Sequence, residues 1–351
     1  MTQSRVSRRE FVREGAAVAA GATLGAGIVG KGETAVASPD PTKTRSYNQN
    51  MEYRRLGRTG LMLSAVSMGG HWKRIPYQPG SEDFKKNRRE VMAAALDHGI
   101  NYIDACWSGE VEVYAEALKG KREQIFFGFD WWGGRDPNIA GSLQKMKDQL
   151  DEGMRKAGLD YVDVWRVTLR EHATKNSEKE IETVAEALAW GKKTGKARAT
   201  GVSTHHRPWI AEAVAKYPSL EVIVTPYSAG TKEKPVGSMF DAFRKHDVGM
   251  IGIKPFASGT VFLSGGTPDS PTKAEDDQRA RIALRHVLAC DILAAAIPGL
   301  MTVDQVMNAA AAVKERRQFD LAETEFHQEI VEHMWNHLPQ HYQWLREWEW
   351  V

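Results

Sequence analysis

The feature that most constrains this chain is a recurring unit: a short apolar strand ending on a polar residue, set between two stretches of helical periodicity. GINYIDACWSGEVEVYAEALKG, residues 99 to 120, shows it best. Before it, VMAAALDHG (residues 91 to 99) carries apolar residues at helical spacing and a glycine where the helix stops. After Tyr102-Ile103-Asp104, EVYAEALKG reads as a second helix closed by Gly120. Asp104 therefore stands at the mouth of a strand, where an ionised group serves chemistry or pairs with another charge.

The unit repeats along the chain. Gly57 and Gly60 mark the tight turns of an opening hairpin, and Leu61 to Met68 reads as a strand running into Gly69-Gly70-His71. Helices are expected over 82–98, from Glu110, over 141–157, over 177–194 with Ser177 and Glu180 set as a capping box, from Pro208, over 240–246, over 273–288 and over 303–314. The other strands are Tyr102 to Asp104, QIFFGFD (124–130), YVDVWRVT (161–168), KARATGVS (196–203), EVIVTPYS (221–228), GMIGIKPF (249–256) and ILAAAIPG (292–299). Eight apolar strands alternating with helices predict an α/β chain folded as a parallel (β/α)8 barrel, a TIM barrel with an N-terminal hairpin and a C-terminal helical tail. A doubly wound sheet is the alternative, but no Gly-x-Gly-x-x-Gly turn follows the first strand. With 351 residues and 42% hydrophobic content, a barrel of about 250 residues plus extensions accounts for one domain over 51–351.

Charge excludes one class of partner. The net charge is +2, with 47 basic residues scattered among 45 acidic ones and no basic face to track a phosphate backbone, so nucleic acid is not an expected partner. Only two cysteines occur, Cys106 and Cys290, too few for a disulfide framework or a cysteine-based iron–sulfur site. The first 37 residues stand apart. Arg8-Arg9 precede Phe11, a weakly apolar Gly/Ala-rich run spans Gly15 to Gly30, and Ala35-Val36-Ala37 offers a small-x-small cleavage site. This resembles a twin-arginine export signal, which implies the twin-arginine export machinery as a partner, a mature chain starting near Ser38 and a periplasmic location. The run is too short and glycine-rich for a stable membrane span. The polar stretch SPDPTKTRSYNQN (38–50) is expected to be a disordered linker.

YRRLGRTGLMLS, GINYIDA, KARATGVSTH, PYS, IKPFASG, and IPG with DQV stand in the order of the opening hairpin and the second, fifth, sixth, seventh and eighth strands of aldo-keto reductases. Over about 51 to 314 the chain resembles that family. The resemblance implies an oxidoreductase that transfers hydride between a carbonyl or hydroxy compound and a nicotinamide dinucleotide. In the family a Tyr protonates the carbonyl oxygen, a Lys held by an Asp lowers the Tyr pKa, and a His completes the set. Asp104 matches the Asp. The Tyr position holds Gly109, the nearest tyrosine, Tyr114, falling in the next helix; the Lys position holds Asp130 and the His position Thr168. An altered proton-transfer site is the consequence.

Strand alternation gives these replacements a geometry. If Thr168 faces into the barrel, so does Arg166 one layer deeper, where its guanidinium can bridge Asp104 and Asp130 with charge-assisted bonds. Three readings of the cluster follow: a buried structural Asp–Arg–Asp set, a rebuilt acid/base site in which Asp130 or one of His71, His172, His205 and His206 handles the proton, and a metal site of both aspartates with a histidine, for which no ligand spacing exists.

For the cofactor, the resemblance implies NAD or NADP. Ser203 stands where the family hydrogen-bonds the nicotinamide amide and Tyr227 where it stacks the ring; Val224 replaces an amide-binding Gln. Lys254, Phe256, Ser258 and Gly259 correspond to the loop over the pyrophosphate. Gly299-Leu300 stands where Lys-Ser is common, and Gln305 where a cation often meets the 2′-phosphate, which leans towards NAD. Trp72, Trp107, Trp131 and Trp132 follow the first three strands, and Trp335, Trp344, Trp348 and Trp350 lie in the tail; such faces suit sugar rings or flat ligands, or simply attach a tail to a barrel. His333, His337 and His341 are spaced as helix ligands would be, but Pro339 interrupts the helix and they read as surface residues. The expected function is an exported NAD(P)-linked oxidoreductase for a small or sugar-like compound; the contrasting class is a non-catalytic ligand- or cofactor-binding protein on the same scaffold.

Overall fold

The computed structural model describes residues 39–70, 75–131, 133–170 and 175–351. The chain opens with the expected hairpin, β1 (Tyr53–Arg55) against β2 (Met62–Ser64). The strand expected over 61–68 is divided: its first half belongs to the hairpin, and the first barrel strand, β3, is only Met68–Gly69. Then come α1 (Glu82–Asp97), β4 (Tyr102–Ala105), α2 (Ser108–Ala117), β5 (Phe126–Phe129), α3 (Pro137–Ala140), α4 (Leu143–Ala157), β6 (Val162–Thr168) and α5 (Glu178–Lys193). β7 (Ala197–Ser203), α6 (Arg207–Lys216), β8 (Val222–Pro226), α7 (Phe240–His246), β9 (Gly249–Ile253), α8 (Lys273–Leu288), β10 (Leu293–Ile297) and α9 (Val303–Lys314) complete the alternation, and α10 (Leu321–Asn336) begins the tail.

Caps set many of these boundaries. Ser81 and Ser142 accept the first free N–H groups of α1 and α4, Gly158 closes α4 in the left-handed conformation, and Ser177 with Glu180 forms the expected capping box on α5. From β3 to β10 each strand pairs in parallel with the next in sequence. The ring closes beside β3, where Ser67 N–H donates to Ala296 O at 2.9 Å and Ala296 N–H to Ala65 O at 2.8 Å. The fold is the expected (β/α)8 barrel.

Alternation along the strands divides the apolar residues into two layers. Tyr102, Phe126, Val164, Ala199, Val222, Val224, Ile251 and Ala295 fill the barrel, with Leu56, Leu61 and Leu63 of the hairpin plugging its foot. Ile103, Phe127, Trp165, Ile223 and Met250 point outward to the helices. A residue at a strand's C-terminal end faces the mouth only if it shares the inner parity.

Residues 39–50 are not the disordered linker expected from their polarity. Thr44 Oγ1 donates to Met62 O, Ser46 Oγ to Gln124 O, and Arg45 reaches the buried Asp163 at 3.1 Å as well as Tyr161 and Ile125 O. Asp163 also receives Arg122 at 2.8 Å and Arg198 at 3.0 Å. The segment is thus fastened across the foot. The signal-like residues 1–37 and Ser38 lie outside the described residues. Among the described residues no helix is long and apolar enough to cross a membrane.

Candidate active site

Asp104 is the last residue but one of β4, Asp130 follows β5 and Arg166 lies in β6; all three share the inner parity, and adjacent pairing brings them together. Arg166 Nε and Nη2 donate to the two oxygens of Asp104 at 2.9 and 2.6 Å, a bidentate pair. Its Nη1 donates to Thr168 Oγ1 at 2.5 Å and lies 3.4 Å from Asp130 Oδ2, which also accepts Thr168 N–H at 3.1 Å. The cluster is almost sealed from solvent, with Arg166 2% and Asp130 1% exposed. Burial alone would drive the guanidinium towards neutrality, but Asp104 and then Asp130 more than offset it, and Arg166 is held well above its ordinary pKa.

One layer deeper, the Tyr102 hydroxyl donates to Asp104 Oδ1 at 3.3 Å. Gly128 on β5 leaves room for it, since a Cβ there would stand 2.1 Å from that hydroxyl. Sequence reasoning did not single out Tyr102, although its position two residues before Asp104 places it on the same face. Beside the cluster, Cys106 N–H donates to the carboxylate of Glu110, fully buried in the first turn of α2. Burial and then Glu110 push the Cys106 thiol well above its ordinary pKa, so it is a neutral group there. Tyr114 turns its hydroxyl onto Gly69 O at 2.5 Å.

The residues expected to hold a cofactor divide. Ser203, at the inward-facing end of β7, pairs in register with Thr168 and opens on the mouth side. Tyr227 does not face the mouth: its ring lies against Phe240 and His286 in the outer layer, and its hydroxyl interacts with Cys290. Parity explains this, because Val222 and Val224 point inward and Tyr227 falls on the other face. Gln305 is a clamp, accepting from Met301 N–H at 2.7 Å and donating to Gly266 O at 3.0 Å. After β9 the backbone turns through positive φ at Lys254, Ala257, Ser258 and Gly259; Phe256 packs on Phe262, and Ser258 is exposed. Gly299 is exposed, and a Cβ there would meet nothing within 4 Å.

The tail lies over this side of the mouth. Trp344 stacks on His205 with centroids 4.2 Å apart, and Lys254 Nζ lies 5.5 Å from the Tyr342 ring and 5.7 Å from Trp344. Trp335 and Trp348 are buried anchors, Trp350 is exposed, and Trp131 packs outward on Phe129. Trp107 is 41% exposed on the mouth side of α2. His206 is half-buried and held below its ordinary pKa by burial and then Lys175. α10 ends before Pro339; His333 and His337 stack on each other, His333 half-buried against Phe262 O rather than on the open surface. Among the described residues no three His, Cys, Asp or Glu side chains converge as metal ligands. His71, Trp72, Trp132 and His172 lie outside the described residues.

A family model described as the aldo/keto reductase family matches residues 65–317. The chain belongs to the aldo/keto reductase family. Among relatives of this aldo/keto reductase, L-glyceraldehyde 3-phosphate reductase of Escherichia coli is 25% identical over 66% of this chain and 70% of its own length. L-galactose dehydrogenase of Arabidopsis thaliana is 23% identical over 76% and 89%. An aldo-keto reductase of Bacillus halodurans, solved in its holo form, superposes with a TM-score of 0.60 at 23% identity, covering 80% of this chain and 96% of that one. One of Klebsiella pneumoniae, solved with NADP and acetate, gives 0.62 at 19% identity over 80% and 95%.

Proposed function

We propose that this aldo/keto reductase is an exported NAD(P)-linked oxidoreductase with an altered proton-transfer site, acting on a small or sugar-like hydroxy or carbonyl compound. The observation that carries the reading is the Arg166 cluster at the barrel mouth, where the family's acid/base machinery is expected. The names of the glyceraldehyde phosphate and galactose relatives favour a small polyhydroxylated substrate. Export rests on Arg8-Arg9 and the cleavage-like Ala35-Val36-Ala37.

The residues that fit a nicotinamide dinucleotide are Ser203, Lys254, Ser258, Gly259 and Gly299. Among the described residues nothing meets a Cβ at 299, and close approach of a ligand is a use that remains for this glycine. Tyr227 and Gln305 do not fit, being spent on the outer layer and on backbone. The lack of a cation at Gln305 favours NAD, while the Klebsiella relative carries NADP.

When bound, the dinucleotide supplies or accepts hydride. The chain's own task is the proton. Arg166 commits Nε and Nη2 to the two oxygens of Asp104 and reaches Asp130 only through Nη1 at 3.4 Å, which leaves proton transfer to Asp130. Asp130 is therefore assigned as the base that takes the proton of a substrate hydroxyl, with Arg166 and Thr168 orienting it. This arrangement suits oxidation of a hydroxy compound. The specific observation favouring a non-catalytic binding protein is that Asp104 gives both oxygens to Arg166.

Calorimetric titration with NAD+ and NADP+, followed by turnover of a panel of aldoses and hydroxy acids, tests the reading. Saturable binding of one form with substrate-dependent reduction is expected. No binding of either form at millimolar concentration refutes it.

A further inference from the structure

The mouth-side ends of β7 and β9 carry the groups on which the dinucleotide reading rests, and the chain's own tail already occupies them. Trp344 presents one face to His205, two residues past Ser203, while Tyr342 and Trp344 share the ammonium of Lys254. The two rings lie 6.0 Å apart, a short aromatic bridge from one strand end to the other. Lys254 is fixed beneath them by a positive φ of 61°, a conformation an L-residue rarely adopts.

The frame around the rings is firm. Leu345, Trp348 and Val351 are buried, and the last residues pair with the loop after β8: Lys232 N–H donates to Glu349 O at 2.6 Å, Lys234 N–H to Val351 O at 2.8 Å, and Val351 N–H to Lys232 O at 3.0 Å. Tyr342 and Trp344 are only half-buried: Tyr342 lies between the exposed His341 and Gln343, and Trp344 between Gln343 and the buried Leu345. Neither ring is one of those anchors, and the bond that Trp344 Nε1–H donates to His341 O at 3.0 Å stays within the same turn.

We propose that Tyr342 and Trp344 form a gate that holds Lys254 in the ligand-free protein and is displaced when a dinucleotide pyrophosphate takes over the ammonium. This rests on the dinucleotide reading above. A phosphate makes a charge-assisted bond to ammonium, which outweighs contact with a ring face. Binding then carries the cost of leaving the closed state, and apparent affinity falls by the fraction of molecules that are open.

The test is calorimetric titration of NADH and NADPH into the full chain, into Tyr342→Ala/Trp344→Ala, and into Lys254→Met with and without those changes. Two ring contacts of ordinary cation–π strength predict about 5- to 30-fold tighter binding for the ring variant, and no tightening when Lys254→Met is already present. Hydrogen exchange on the unaltered protein provides a readout independent of any substitution: saturating dinucleotide should raise exchange across 340–344 and leave the amides of Lys232, Lys234 and Val351 protected. Equal affinity in unaltered protein and ring variant overturns the gate but leaves the dinucleotide reading standing. Weaker binding in the ring variant makes the rings a platform for the ligand and also overturns the gate. Binding to none of the proteins overturns both.

Discussion

Replacing Arg166 by Met probes the centre of the site. In the native protein the guanidinium makes two bonds to Asp104, at 2.9 and 2.6 Å, one to Thr168 at 2.5 Å, and approaches Asp130 at 3.4 Å, with 2% of its surface exposed. Methionine fills much of the space but leaves two buried carboxylates facing each other without their cation. Removing one member of such a set costs about 3–5 kcal/mol. At about 2 °C per kcal/mol for a domain of this size, Tm should fall by roughly 6–10 °C. The deficit should shrink as pH drops through the carboxylate range, because protonation removes the charge that has lost its partner. Asp104→Asn and Asp130→Asn added to Arg166→Met should recover much of the loss. The assay is thermal unfolding followed by circular dichroism across pH. Arg166→Met melting with the native protein at neutral pH refutes the charge argument and the inward register of β6 with it.

Asp130→Asn should abolish turnover while dinucleotide affinity stays nearly unchanged and Tm falls far less than in Arg166→Met, since Arg166 keeps its bidentate pair with Asp104 and an amide keeps the shape but cannot exchange the proton; residual activity above a tenth of native removes Asp130 from the role of base. His286 is held neutral, down to about 4 from 6.5, by burial and then by its stacked neighbour His327. The unfolded chain takes up this proton below 6.5 and the native state only near 4, so stability present above 6.5 is lost as pH falls through that window, by roughly 3 kcal/mol. His286→Gln should flatten that part of the pH–stability profile, and an unchanged profile means another group is responsible. Arg8→Lys with Arg9→Lys should leave the protein uncleaved in the cytoplasm; a processed form outside at unchanged yield refutes export by the twin-arginine route.

The parts of the fold written in local pattern were legible. Apolar runs alternating with helical periods led to the barrel, and Ser177 with Glu180 marked the start of α5. Alternation also placed Arg166 with Asp104 and Asp130, because the strand register is carried by Val164 and Tyr102 below them. Tyr227 was misplaced for lack of the same count: carried on from Val222 and Val224, it would have pointed outward. Residues 39–50 were misread because polarity suggested solvent, whereas Arg45 answers a buried Asp163 more than a hundred positions away. The contact of Tyr342 and Trp344 with Lys254 was illegible for a similar reason, since no periodicity connects the tail to a strand end far back in the chain.

The latch of Arg45 at one end of the barrel and the pairing of Val351 at the other put residues 39–45 and Val351 on opposite poles. A leader or support joined through residue 39 holds the molecule by its base and leaves the mouth pointing away. A tag appended after Val351, a residue itself buried beside Lys232, emerges on the mouth side and pulls on the loop after β8. An attachment at residue 39 therefore leaves the mouth clear, whereas one at Val351 bears on the loop beside it.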